Sequence, residues 1–260
     1  MTGCLLNNID LKIVCDIARQ AGAAIMQVYQ RDDFDVELKG DNSPLTAADK
    51  ASHQMIMAGL TQHFADIPVL SEEGAEIPYE QRKLWSRFWL VDPLDGTKEF
   101  IKRNGEFTVN IALIEDGQAV AGVVYVPVQD KMYCGSQNDG CWTQQGDEPP
   151  VKVSVRTIPT QGLTVVMSRS HPSAELEAYL KDLTVAEALP VGSSLKLCVV
   201  AEGKADLYPR LGPTMEWDTA AGHAVVVAAG GTVTTVDGGP LCYNKENLLN
   251  PYFIVKGRLD

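Results

Sequence analysis

The residues Trp89-Leu90-Val91-Asp92-Pro93-Leu94-Asp95-Gly96-Thr97-Lys98-Glu99-Phe100 run from an apolar strand straight into two carboxylates, a glycine and a hydroxyl. Pro93 has no N–H and a fixed φ, which predicts that strand pairing stops there and that Asp92 and Asp95 sit on the strand tip. Two carboxylates three residues apart then face one small volume. Their repulsion is relieved by a shared cation, and hard oxygen ligands favour Mg²⁺. Gly96 and Thr97 read as a helix start, where free backbone N–H groups can hold a phosphate. Asp-Pro and Asp-Gly are also ordinary turn dipeptides, so the motif alone fits a loop with a helix cap as well.

Further acidic ends elsewhere favour the metal reading. Ile67 to Leu70 has a buried-strand pattern and delivers Ser71-Glu72-Glu73-Gly74 at its end, so Glu72 is a candidate oxygen ligand beside Asp92 and Asp95. An exposed Glu pair that merely solvates a loop is the plainer alternative. Thr46-x-x-Asp49 resembles a capping box with Asp in place of Glu, followed by the apolar face Met55, Ile56, Gly59, Leu60 and Phe64. Glu216-Trp217-Asp218-Thr219 opens an Ala- and Val-rich helix closed by Gly230-Gly231, where Asp218 also fits a plain N-cap. His53 and His63 lack metal-ligand spacing and read as surface or packing residues.

The surrounding pattern is that of a mixed α/β protein. Apolar residues from Ile13 to Val28 recur at helical spacing within an expected helix over Asp10 to Tyr29. Val36 to Lys39 reads as a short strand. Phe107 to Ile114, Ala119 to Val126 and Lys131 to Gly135 predict an antiparallel meander, and the polar stretch Gln144 to Pro150 predicts a lobe boundary. Residues 1–150 are then one lobe and 151–260 a second. The second alternates a strand at Leu163 to Met167, a helix over Ala174 to Leu183 and a strand near Leu189. A helix from Ser193 to Glu202 and a strand at Asp206 to Tyr208 continue it, and strands at Thr232 to Val236 and Tyr252 to Val255 finish it.

Composition narrows the partners. A net charge of −12 over 260 residues excludes a nucleic-acid polymer as partner, because counterion release needs clustered Lys and Arg. Six scattered cysteines (Cys4, Cys15, Cys134, Cys141, Cys198 and Cys242) form no Cys-x-x-Cys pair and suit reduced thiols in a cytoplasm. The N-terminus shows no basic segment followed by an apolar one, and no apolar run approaches a membrane span.

Taken in order, Thr46-x-x-Asp49, Glu72-Glu73, Asp92-Pro93-Leu94-Asp95-Gly96-Thr97 and Trp217-Asp218 resemble the lithium-sensitive, magnesium-dependent phosphatase superfamily of inositol monophosphatase and fructose-1,6-bisphosphatase. The resemblance covers nearly the whole chain. Within that superfamily, Leu90 to Ile114, Ser168-Arg169-Ser170-His171, Gly192-Ser193-Ser194-Leu195-Lys196 and Leu207-Tyr208-Pro209-Arg210 look like the bacterial 3'(2'),5'-bisphosphate nucleotidases.

The resemblance implies a layered αβαβα fold and metal ligands at Glu72, Asp92, the Leu94 carbonyl, Asp95 and Asp218. It implies two bound Mg²⁺ or three, with Li⁺ and Ca²⁺ inhibitory, and Asp49 with Thr97 activating the attacking water. Substrate contacts are implied at Glu72, Leu94, Asp95, Gly96, Thr97, Ser168, His171, Ser193, Ser194, Lys196, Arg210 and Asp218. The expected substrate is adenosine 3',5'-bisphosphate, with 3'-phosphoadenosine 5'-phosphosulfate as a further one, in sulfate assimilation. An inositol monophosphatase-type phosphomonoesterase is the alternative. The expected state is a cytoplasmic monomer or homodimer, with membrane contact at most peripheral, on the cytoplasmic face of the inner membrane. Taken without the resemblance, Arg169, His171, Lys196 and Arg210 each read as solvated surface groups.

Overall fold

The structure, a computed structural model, describes residues 9–31, 37–38, 44–74, 76–157, 159, 161–168 and 174–258. In chain order its elements are α1 (Leu11–Tyr29), β1 (Glu37–Leu38), β2 (Pro44–Leu45), α2 (Ala47–His63), β3 (Val69–Ser71), α3 (Tyr79–Arg82), β4 (Arg87–Asp95), α4 (Thr97–Ile101), β5 (Thr108–Glu115), β6 (Gln118–Val126), β7 (Lys131–Ser136), β8 (Gly140–Gln145) and β9 (Val151–Val153). They continue as β10 (Leu163–Ser168), α5 (Ala174–Leu180), β11 (Val185–Val191), α6 (Leu195–Ala201), β12 (Leu207–Arg210), α7 (Glu216–Ala228), β13 (Thr232–Thr235) and β14 (Phe253–Lys256).

A seven-stranded sheet runs β3-β4-β5-β6-β7-β8-β9, and a five-stranded sheet runs β11-β10-β12-β14-β13. In the first, β3 and β4 are parallel and the other neighbours antiparallel. Period-two alternation sends successive side chains of its central strands to opposite cores. Trp89, Val91, Val109, Ile111 and Leu113 join Ile17, Ala21, Ile25 and Ile56 of α1 and α2. Phe88, Leu90, Ala112 and Ile114 instead face Leu197, Val200, Ala221 and Val225 of α6 and α7. The second sheet closes this middle core with Tyr208, Val233 and Val255, and its far face packs Val165, Leu207 and Ile254 against Tyr179 and Leu180 of α5. The expected αβαβα layering is therefore found.

The fit of α7 on the first sheet depends on missing side chains. Gly122 and Gly135 are cross-strand partners, and a Cβ on Gly122 would lie 2.4 Å from the Ala221 carbonyl oxygen. The two glycines form a trough in which the small residues of α7 rest.

Two expectations are corrected. Pro93 does not end β4, because pairing with β5 resumes at Asp95 opposite Thr108 after a bulge. The stretch 144–150 is no boundary between sheets, since it joins β8 to β9, which pair with each other. The meander thus has two more strands than expected, and the chain leaves the first sheet only after Val153. Lys39 and Val36 lie outside the described residues, whereas Glu37–Leu38 is a strand as expected.

Candidate active site

The site grows from the bulge in β4. Asp92 pairs with Asn110 and Asp95 with Thr108, so β4 spends one more residue than β5 over this step. Such a bulge re-aims side chains, and here it turns both carboxylates towards the end of the sheet. Ser52 of α2 fastens it by donating to the Pro93 carbonyl (2.6 Å), and the Leu94 N–H donates to Asp92 Oδ1 (3.0 Å). The other Asp92 oxygen, Oδ2, is buried with no hydrogen-bond partner.

Two more chain segments bring acids to that oxygen. The parallel pairing of β3 with β4 continues through the Glu72 N–H to the Val91 carbonyl (3.1 Å), which sets Glu72 beside Asp92. Asp218 lies in the first turn of α7, its Oδ2 accepting from the Met215 N–H (2.9 Å) in a capping arrangement. Glu72, Asp92 and Asp218 each offer a carboxylate oxygen within 4.8 Å of the others. Burial, then repulsion by Glu72, Asp95 and Asp218, drives the Asp92 carboxyl well above the ordinary range. Burial, then repulsion by Asp95 and Glu72, pushes Asp218 up to about 8. Three like charges with one orphaned buried oxygen fit a hard divalent cation, which would remove the repulsion and satisfy that oxygen.

Asp95 borders this group. Its carboxylate is raised by burial but held back by the Lys196 charge and by the Ser194 N–H, which donates to Oδ2 (2.5 Å). Asp95 thereby ties the first sheet to the loop before α6. Ser194 Oγ also donates to Asn110 Oδ1 (2.8 Å) and lies 2.7 Å from Thr108 Oγ1. Sequence reasoning missed Thr108 and Asn110, although two polar residues alternating within the apolar run Phe107 to Ile114 are a legible signal of a buried polar function.

Asp49 combines two jobs. Its Oδ2 accepts from the N–H (2.8 Å) and hydroxyl (2.5 Å) of Thr46, completing the expected capping box. Its Oδ1 accepts from the Thr97 hydroxyl (3.3 Å), which also reaches the Leu94 carbonyl (3.5 Å). Gly96, at φ +92°, makes the turn into α4 that presents Thr97. A side chain there would meet Ser193, in the loop before α6, at 3.1 Å, so a glycine suits both the φ and the approach.

α6 and β12 supply the cations. Lys196 is only 8% exposed, which corrects the reading of it as a solvated group. Its ammonium donates to the Ser193 carbonyl (2.6 Å) and lies 5.7 Å from the centre of the Tyr208 ring. Burial lowers its pKa to about 8 against the opposing pull of Asp95. Arg210 closes β12, its Nε on Thr214 Oγ1 and its Nη2 donating to the Pro213 carbonyl (2.6 Å). A cavity of about 50 Å³ lies between Asp95, Ser193, Ser194, Lys196, Arg210 and Asp218. Past Arg210 it is followed by a cleft of about 350 Å³ lined by Ser168, Tyr208, Arg210 and Tyr252. Arg169 and His171 lie outside the described residues.

The Inositol monophosphatase family profile matches residues 9–253. The 3'(2'),5'-bisphosphate nucleotidase CysQ of Escherichia coli (strain K12) is 54% identical over 244 residues, 93% of this chain and 97% of that protein. The protein of the same description from Haemophilus influenzae is 37% identical over 97% of this chain and 94% of its own length. The crystal structure of CysQ from Bacteroides thetaiotaomicron, a bacterial member of the inositol monophosphatase family, superposes with a TM-score of 0.86 at 44% identity, covering 98% of this chain and 99% of that one. Inositol monophosphatase from Anabaena gives a TM-score of 0.74 at 26% identity over 95% and 89%. On its sequence, its layering and its clustered acids, the chain belongs to the inositol monophosphatase family.

Proposed function

We propose that this chain is a magnesium-dependent phosphatase that hydrolyses the 3'-phosphate of adenosine 3',5'-bisphosphate to give AMP and phosphate. Its 5'-phosphosulfate relative is a second substrate, and the role lies in sulfate assimilation. The observation that carries the reading is the meeting of Glu72, Asp92 and Asp218 within 4.8 Å, on a chain that also joins Thr97 to Asp49. The identity to the Escherichia coli nucleotidase supports the choice of substrate.

In this reading Glu72, Asp92 and Asp218 hold Mg²⁺, with Asp95 and the Leu94 carbonyl completing the ligand set. Bound Mg²⁺ supplies an acidified water and charge neutralisation on the transferring phosphate. The Thr97 hydroxyl donates to Asp49, which leaves its oxygen to accept a proton from the attacking water as Asp49 receives the hydroxyl proton. Thr46 holds the far oxygen of Asp49 in place. The N–H groups of Gly96 and Thr97 orient the phosphate that reacts. The sheet ending at Val153 thus supplies most of the chemistry, and α7 adds Asp218.

The later lobe supplies selection. Lys196 and Arg210 meet the phosphate that does not react, in a chain whose net charge of −12 otherwise repels a bisphosphate. Ser168, Ser193 and Ser194 line the same path, and His171 follows Ser168 in sequence. Li⁺ and Ca²⁺ inhibit by competing for the carboxylates. No helix among the described residues is long and apolar enough to cross a membrane.

Phosphate release with Mg²⁺ tests the reading on adenosine 3',5'-bisphosphate, the phosphosulfate, the 2',5' isomer, inositol 1-phosphate and fructose 1,6-bisphosphate. The 3',5'-bisphosphate is expected to give the highest kcat/KM. Preference for inositol 1-phosphate would replace this reading with the inositol monophosphatase one.

A further inference from the structure

Two residues before Asp218, on the far side of the same helical turn, stands a carboxylate that the chemistry above does not use. Glu216 is fully buried. Its Oε2 accepts from the Asn244 N–H (2.7 Å), and its Oε1 accepts from the Lys245 N–H (3.0 Å) and the Lys245 ammonium (2.5 Å). The same ammonium donates to the Cys242 carbonyl (3.0 Å) and to Asn250 Oδ1 (3.2 Å). Asn250 returns to the helix start, with Nδ2 on the Met215 carbonyl (3.0 Å) and on Thr219 Oγ1 (3.2 Å), and its N–H on the Thr214 carbonyl (2.8 Å). The Glu216 N–H donates to the Leu248 carbonyl (2.9 Å).

These contacts grip the peptide units on either side of Met215, whose N–H is the one that fixes Asp218 Oδ2. Residues two apart on a helix point to different faces, so Glu216 reaches Asp218 only through the backbone. We infer that Glu216, with Lys245 and Asn250, is a positioning clamp that fixes the start of α7 so that Asp218 keeps its free oxygen aimed at Glu72 and Asp92. The clamp brings its own counter-charge, so a buried carboxylate is added near an acidic cluster without adding an uncompensated charge.

The inference rests on the reading of Asp218 as a metal ligand, and the experiment separates the two. Mg²⁺ binding to the full chain is measured by calorimetry and by the emission of Trp217, next to Asp218. Asp218→Asn is the reference, and its binding Mg²⁺ like the unsubstituted protein would overturn both the ligand reading and the clamp. Glu216→Gln presents an amide to the Asn244 N–H, which it cannot accept from on that side, and is expected to weaken Mg²⁺ binding about 10- to 100-fold.

Arg82→Met is the control. Arg82, buried at the end of α3, holds the same loop by donating to Asn244 Oδ1 (3.0 Å), to the Lys245 carbonyl (2.5 Å) and to the Glu246 carbonyl (2.7 Å), and none of these bonds ends on α7. It is expected to lower the unfolding midpoint while leaving the Mg²⁺ dissociation constant within about twofold. Equal weakening in Glu216→Gln and Arg82→Met, or unchanged affinity in Glu216→Gln, would overturn the clamp. If Glu216→Gln fails to fold, Asn250→Ser, which removes the donor to the Met215 carbonyl, is read by the same criterion.

Discussion

Replacing Asp218 by Asn should make the metal-free protein more stable and the metal-loaded protein less so. The Asn side-chain oxygen can still accept from the Met215 N–H, so the helix cap is kept while the charge is removed. Raising a carboxyl from 3.8 to about 8 means that the folded chain holds a proton the unfolded chain has lost. At pH 7 this costs about 4 kcal/mol if the group is fully shielded. Asp218 keeps partial contact with solvent, so screening reduces the expected cost to about 2 kcal/mol.

The sign follows from the raised value. Stability associated with protonated Asp218 is fully present below the unfolded value and is lost as pH rises through the folded value. In EDTA, thermal unfolding of Asp218→Asn at pH 7 should therefore exceed that of the unsubstituted protein by roughly 4–8 °C. The gap should close as pH falls towards 4. Saturating Mg²⁺ should reverse it, because only the unsubstituted protein gains the full binding free energy. A variant less stable than the parent in EDTA at pH 7, or a gap independent of pH, would refute the account of mutual repulsion.

Thr97→Ala should lower kcat about 100-fold or more while Mg²⁺ affinity by calorimetry stays within a few-fold, since Thr97 donates to Asp49 and is not among the clustered acids. Lys196→Ala should reduce kcat/KM for adenosine 3',5'-bisphosphate roughly 30- to 150-fold. Inositol 1-phosphate should be affected far less, and equal losses would mean that balancing Asp95 is its main role. Gly122→Ala should destabilise by about 1–3 kcal/mol in urea unfolding, because the new methyl would meet the Ala221 backbone at 2.4 Å. Intact stability there would mean that α7 can shift without cost.

Local patterns reveal much of this protein because their causes are local. The helical spacing of Ile13 to Val28, the Thr46-x-x-Asp49 box and the glycine after Asp95 act within a turn or two, and α1, α2 and the turn into α4 lie where they predict. The acidic ends were legible for the same reason, as carboxylates placed where apolar strands stop. Other features depend on distant chain. Pro93 forms a bulge because Ser52 and β5 hold strand on both sides of it. β8 lacks a clear alternating pattern and β9 is only three residues long, both lying towards the sheet edge, where neither face is fully covered. Lys196 reads as solvated, yet the approach of β4 and β12 to α6 buries it against Asp95 and Tyr208. The sequence alone determined which residues could bind metal and move a proton. Only the tertiary structure decided that Glu72, Asp92 and Asp218 share one volume, because that requires β3 to pair with β4 and α7 to pack on their sheet before the repulsion, and hence the demand for a cation, exists.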